Sequence, residues 1–246
     1  MHPLIILSAV LQIACAVHVV RTHRPMYWIW LLLIGSYVAV AIYFFAEVLP
    51  SLGSNRAARR LVTGAQDRID PERHKRKAAL QLDVADTLDN RRRLAEESFR
   101  SGDFQQASEL YRSGMKGLYK TDPHLMLGLA KSQFALNLPA DAKQTLDELI
   151  AANPDFRSSD GHLLYARCTE AAGDIAGALH EYETVAQGFT GEEARVRYAM
   201  LLKRDGQTEK AAQVFAEVLK RAKVAPSYYQ REQREWIDIA RRETAV

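Results

Sequence analysis

The chain has 246 residues, 48% hydrophobic and 26% charged, with 33 Lys and Arg, 30 Asp and Glu and two cysteines. Those averages fit an ordinary soluble protein of one or two domains. Of the 63 charged residues (33 plus 30), however, only Arg21, Arg24 and Glu47 fall in the first 49 positions, which speaks against a purely soluble chain. Cys15 and Cys168 are too few for a disulfide framework, and no CxxC or Cys/His cluster suggests structural zinc.

Residues 4–20 form an apolar run broken by Ser8, Gln12 and His18, and residues 27–48 form a second with no charge before Glu47. As helices they reach roughly 25 and 33 Å against a hydrocarbon core of about 30 Å, so both are expected to span a bilayer. The intervening Arg21-Thr22-His23-Arg24-Pro25 reads as a basic turn, followed by the interfacial aromatics Tyr27, Trp28 and Trp30. Gly35 and Ala39 share a face on which Ser8, Ala9 or Ala16 of the first span can approach closely. Met1-His2 is not followed by a basic segment or a small-x-small cleavage site, so a transmembrane hairpin is expected rather than a signal peptide. Arg56, Arg59, Arg60 and Arg68 after the second span outnumber Arg21 and Arg24 in the turn, which places both termini in the cytoplasm.

His2-Pro3-Leu4, Leu11-Gln12-Ile13, Arg21-Thr22-His23-Arg24 before Trp28-Ile29-Trp30, and Gly35 with Tyr43 resemble the two-helix N-terminal module of bacterial cardiolipin synthases and phospholipase D-type proteins. The resemblance covers about the first 50 residues and implies membrane anchoring. Catalysis in that family rests on an HxK(x4)D motif, and here His74 is followed two positions on by Arg76. The lipid chemistry is therefore not implied.

Residues 51–88 read as a basic juxtamembrane linker, partly helical. From residue 50 to residue 93 there are eleven Lys/Arg and six Asp/Glu, net plus 5. The first 49 residues carry plus 1, so the total of plus 3 leaves minus 3 for residues 94–246. Such a collar is attracted to anionic lipid, whereas the basic run 73–77 lacks the interleaved aromatics of a nucleic-acid platform. Asp70-Pro71-Glu72 reads as an N-cap, an N1 proline and a first-turn acid, with Leu80, Val84 and Leu88 on one face of the helix that follows.

Beyond the linker the chain repeats itself. Ser101-Gly102-Asp103-Phe104 with Ala107 and Tyr111 corresponds to Gly173-Asp174-Ile175 with Ala178 and Tyr182, and to Gly206-Gln207-Thr208 with Ala211 and Phe215. Asn137-Leu138-Pro139 with Ala142 and Leu146 fills the gap, so the alanines recur at 107, 142, 178 and 211. Upstream stand Leu94-Ala95, Leu129-Ala130, Tyr165-Ala166 and Tyr198-Ala199. This pattern resembles the tetratricopeptide repeat, with departures: the consensus tryptophan position carries Arg91, Met126, His162 and Arg195, and only Pro154 stands where the closing proline belongs. The predicted fold is all-α. A transmembrane hairpin (1–50) and the linker helix lead into a solenoid (89–225) of four helix-turn-helix repeats, about 88–121, 123–156, 159–191 and 192–225, and then a single capping helix (226–246). Tyr229, Trp236 and Ala240 share a face of that cap.

In the tetratricopeptide family the first helix of each repeat lines a groove for an extended peptide or partner helix. Carried over, the resemblance implies Asp89, Arg92, Glu96 and Phe99; His124, Leu127, Lys131 and Phe134; Asp160, Leu163, Arg167 and Glu170; and Glu193, Val196, Met200 and Lys203. Phe99 and Phe134 are candidate apolar anchors, and Lys131 and Arg167 candidate partners for carboxylates. No GxxxxGK[ST], HExxH or GxSxG occurs and the seven histidines lack metal-ligand spacing, so no enzyme activity, cofactor or metal is expected. At the tryptophan position His162 is expected to be a satisfied core histidine. The function expected is an inner-membrane scaffold that recruits a protein partner, with envelope or lipid metabolism as one setting. The alternatives are a non-catalytic subunit of a lipid-handling enzyme and a periplasm-facing translocon or chaperone accessory.

Overall fold

A computed structural model describes residues 70–244, with isolated helical positions at 12, 13, 15, 17, 19–21 and 42. The expected spans at 4–20 and 27–48 and the linker to residue 69 otherwise lie outside the described residues. Among those described, no helix is long and apolar enough to cross a membrane. Residues 1–73 and 74–246 are separate compact units, and the fold of the second is a helical stack.

After α1 (Arg73–Val84) come four helix pairs: α2 (Leu88–Arg100) with α3 (Phe104–Gly114), α4 (Pro123–Ala135) with α5 (Pro139–Ala152), α6 (Ser159–Ala171) with α7 (Ile175–Gly188), and α8 (Glu193–Arg204) with α9 (Thr208–Val224). From α2 to α9 each helix packs on its neighbours in the chain, which makes an all-α solenoid of the described repeats. The alanines 95, 107, 130, 142, 166, 178, 199 and 211 are all 0 or 1% exposed, because methyl groups at the crossings let paired backbones approach. Between the first two pairs the approach is closer still. A Cβ on Gly128 would lie 2.4 Å from the Tyr111 ring, so only glycine admits that ring.

Local chemistry sets the boundaries. Thr87, Asp103, Asp122, Ser158 and Asp174 each accept a backbone N–H at the start of α2, α3, α4, α6 and α7, worth about 1 kcal/mol per cap. Each pair turns through one left-handed residue: Gly102, Asn137, Gly173 and Gly206, with φ of 85, 62, 81 and 87°. At three of these turns the next residue's N–H reaches back to the last helical turn, Asp103 to Ser98 O, Leu138 to Gln133 O and Gln207 to Leu202 O, which satisfies carbonyls the helix end leaves free.

Two expected elements differ. The helix after Asp70 starts at Arg73, with residues 71–72 in a turn, and it does not run on to Leu88. It ends at Val84 because the Asn90 side chain donates to the carbonyls of Gln81 and Ala85 while Thr87 caps a new helix. Leu88 then joins the first core cluster, and Leu80 and Val84 are 66 and 87% exposed. The C-terminal cap is two helices, α10 (Ser227–Glu232) and α11 (Arg234–Thr244), because the Gln233 side chain at the break accepts the Glu192 N–H. Ile237 and Ala240 of α11 are buried, and Ala240 joins the large cluster that runs back through Phe215, Tyr198 and Tyr182.

Candidate partner-binding recess

The first helices of the repeats enclose an open recess of about 430 Å³. Phe99 of α2, Lys131 and Phe134 of α4, and Leu163 and Arg167 of α6 line it, with Phe189 and Glu193 at the α8 end. The Arg167 guanidinium lies over the Phe134 ring at 4.5 Å from the centroid. Burial, and next the neighbouring Arg197 charge, lower its pKa. Lys131 Nζ is 3.1 Å from Asp160, and Arg167 is 3.9 Å from Glu193, itself 2.8 Å from Arg197. The two cations expected to meet a partner's carboxylates therefore already face carboxylates of the chain. The lining is charge-balanced around apolar surface from Phe99, Phe134 and Leu163.

The other expected groove residues are dispersed. Val196 is 0% exposed and belongs to the core, since its side chain points into the cluster behind α8 rather than to the surface. Glu170 accepts the Tyr182 hydroxyl at 2.7 Å and pairs with Arg204 at 2.7 Å, so it fastens α6 to the next turns. The Tyr182 phenol, fully buried and bonded to that carboxylate, is held well above its usual pKa, burial being the larger cause. Lys203 is tied to Glu243 of the cap at 2.9 Å. Met200 is exposed at 42%. Arg92 and Glu96 pair with each other at 3.7 Å on the surface of α2, where Asp89 also meets Arg92 at 3.1 Å. His124 sits edge-on to Phe156.

Leu127 lines a second cleft of about 400 Å³ between α5 and α6, with Leu146, Leu149, Ile150, Phe156 and Tyr165. His162 borders it, 2.8 Å from Glu181 and with 40% of its side chain exposed, so it is not the core histidine expected at that position. A smaller imidazole where the repeat pattern has tryptophan leaves this cleft open. The other two polar replacements are likewise satisfied locally: Arg91 by Asp86 and Ser113, and Arg195 by the carbonyls of Phe189 and Gly191 and by Glu192.

Glu192, which the repeat pattern does not mark, is buried behind the start of α8. Its side chain is 0% exposed, 3.5 Å from Arg195 and 3.2 Å from Arg221, and it accepts the Tyr229 hydroxyl at 2.7 Å. It joins α8, α9 and the cap in one polar knot. Nothing in a loop glutamate just before a helix announces burial, although Arg195 three residues later is a signal. Among the described residues no cluster of three or more His, Cys, Asp or Glu could hold a metal ion.

Tetratricopeptide-repeat models match residues 98–168 and 193–222. Among solved structures, TTC0263, a thermophilic tetratricopeptide protein of Thermus thermophilus, is 16% identical and superimposes with a TM-score of 0.54 over 75% of this chain and 93% of its own. YrrB, described as a tetratricopeptide protein with an unusual peptide-binding site, is 15% identical with a TM-score of 0.50 over 68% of this chain and 92% of its own. At these identities the likeness is one of fold. No curated protein matches the chain.

Proposed function

We propose that this tetratricopeptide-repeat chain is a membrane-tethered scaffold whose recess between α2, α4, α6 and α8 binds an extended segment of a protein partner. The recess carries the reading. It gathers the Phe99 and Phe134 rings, Leu163 and the stacked Arg167 from three successive repeats on one face, the composition of an interaction hot spot. A volume of about 430 Å³ suits a few side chains of an extended peptide rather than a whole domain. Because Lys131 and Arg167 are already faced by Asp160 and Glu193, the favoured partner is amphipathic and close to neutral. The peptide site attributed to YrrB is a parallel for this mode of use on a similar fold.

The tether is supported by the two apolar runs, by their basic turn and tryptophans, and by the exposure of Ile13, Val17 and Val20, helical residues at i, i+4 and i+7 on one stripe. The arginine balance supports an orientation with the repeats in the cytoplasm, and we place the chain in the inner membrane. A role in envelope or lipid metabolism would fit the resemblance of the first 50 residues to cardiolipin synthases. The test is selection of peptides from a random display library on the full chain in detergent micelles, followed by titration of the enriched sequences. Phe134→Ala is expected to weaken them about tenfold. Enriched peptides indifferent to Phe134→Ala and Arg167→Ala would remove the recess as the site.

A further inference from the structure

The loop between α3 and α4 ends in a tip that the packing leaves open. Leu118 is 97% exposed, the highest value among the large apolar side chains described, and Tyr119 beside it is 49% exposed. Both lie in a single 3-10 turn, Gly117–Tyr119, which Gly117 enters at φ 55°. The roots of the loop are fixed. Met115 packs on the first core cluster, Asp122 caps α4, and the Thr121 carbonyl accepts from the Asn153 side chain. A loop held at both ends that lifts leucine and tyrosine into solvent presents them as a wedge, because burial within the chain would be favourable and is not taken.

Charge points to what covers the wedge. Arg112, Lys116 and Lys120 flank it, all exposed, and no ion pair among the described residues engages them. Elsewhere on the repeats Lys131, Lys203 and Lys210 each meet a carboxylate, whereas Lys220 and Lys223 of α9, like the three at the tip, are exposed with no ion pair among the described residues. An aliphatic residue at the apex, an amphipathic tyrosine next to it and cations around the rim match the gradient from acyl chain through interface to anionic headgroup. We propose that the tip at residues 112–120 inserts Leu118 and Tyr119 into the surface of an anionic phospholipid bilayer.

This inference builds on the proposed tether. One leucine and three cations bind a membrane weakly in solution, but a chain already held at the bilayer makes the contact intramolecular, so a weak site is occupied. The first helix of the stack starts at Arg73, some 25 residues past the second expected span, so the chain between them spans at most roughly 80 Å. The wedge would set how the recess is displayed to partners moving along the membrane.

The test uses the full chain with Leu118→Cys carrying an NBD fluorophore in a Cys15→Ala background. Cys168 stays unlabelled because it is fully buried and its thiol is pushed up to about 11. The chain is reconstituted into vesicles of phosphatidylcholine alone or enriched in phosphatidylglycerol, with nitroxide-bearing lipid as quencher and flotation measured in parallel. The expected result is blue-shifted, quenched emission in phosphatidylglycerol vesicles that falls about tenfold in extent with Lys116→Glu/Lys120→Glu, while a label at Gln213 on α9 does not respond. Unquenched emission in both vesicle types overturns the inference, and a blue shift without quenching, which means another protein surface covers the tip, overturns it equally. Flotation separates the two readings. A chain that floats with every variant while the label stays unquenched keeps the tether and loses the wedge, and a quenched label with flotation that fails on reversing the two lysines keeps the wedge and loses the hairpin.

Discussion

Substituting glutamine for Glu192 tests whether the buried polar knot holds the cap in place. The change keeps the size of the side chain and an oxygen for the Tyr229 hydroxyl, but removes the charge facing Arg195 and Arg221. The Arg195 side chain is 8% exposed, and stranding a buried charge costs about 3–5 kcal/mol. Its bonds to the carbonyls of Phe189 and Gly191 survive, which places the expectation at the lower end, about 3 kcal/mol. Arg221, 44% exposed, adds less than about 1 kcal/mol because solvent screens it. Tyr229 and Gln233 both dock on Glu192, so the loss falls on the attachment of α10 and α11. About 3 kcal/mol in a local opening equilibrium accelerates amide exchange over residues 227–244 about a hundredfold. Hydrogen-exchange mass spectrometry of parent and variant reads this directly. Exchange in that segment within about threefold of the parent would mean that Glu192 does not hold the cap.

Other consequences follow from single contacts. Gly128→Ala puts a methyl into the Tyr111 ring and should cost about 1–3 kcal/mol in thermal or denaturant unfolding, recovered in part by Tyr111→Leu. Gly206→Ala meets no atom within 4 Å, so its cost of about 1–2 kcal/mol is backbone strain alone, and Asn137→Gly at the equivalent turn should be neutral or stabilising. Cys168, fully buried and with its pKa raised to about 11 chiefly by desolvation, stays a thiol throughout the neutral range. It should therefore resist iodoacetamide at pH 8 until the chain is denatured, and fast native-state alkylation would contradict the packing. Asp103 accepts from Lys75 at 2.7 Å, and that bond, with one from Gln106, lowers its carboxyl pKa. The stabilisation is present above the ordinary carboxylate pKa and is lost as pH falls through the lowered value, so α1 should remain docked in mild acid and Lys75→Ala should loosen it at neutral pH, as exchange over residues 73–84 would report.

The repeat was legible because its signal is steric and periodic. The eight alanines that permit helix crossings and the turn residues that adopt positive φ are required by geometry, and Asn137 could be placed among three glycines because asparagine is the side chain that best tolerates that conformation. The centre of the recess was legible for the same reason: Phe99, Lys131, Phe134, Leu163 and Arg167 sit at matching positions of successive first helices. The ends of the stack were not. Val196 and Lys203 hold groove positions in the pattern, but one turns into the core behind α8 and the other is tied to the cap, and the cap's path depends on Glu192 and Gln233, distant in sequence. The break after Val84 is fastened by the Asn90 side chain, which donates to the carbonyls of Gln81 and Ala85, a local choice hydrophobic spacing does not encode. The cleft beside His162 was hidden because it is defined by what a small side chain fails to fill.

The partner site proposed for the tethered scaffold is the recess between the first helices. Its most direct measurement is the dissociation constant of a library-selected peptide for the full chain, compared across Phe134→Ala, Arg167→Ala and a control change in the second cleft, Ile150→Ala. About tenfold weakening is expected for each of the first two and no change for the third. Peptides weakened by Ile150→Ala and untouched by Phe134→Ala would contradict it.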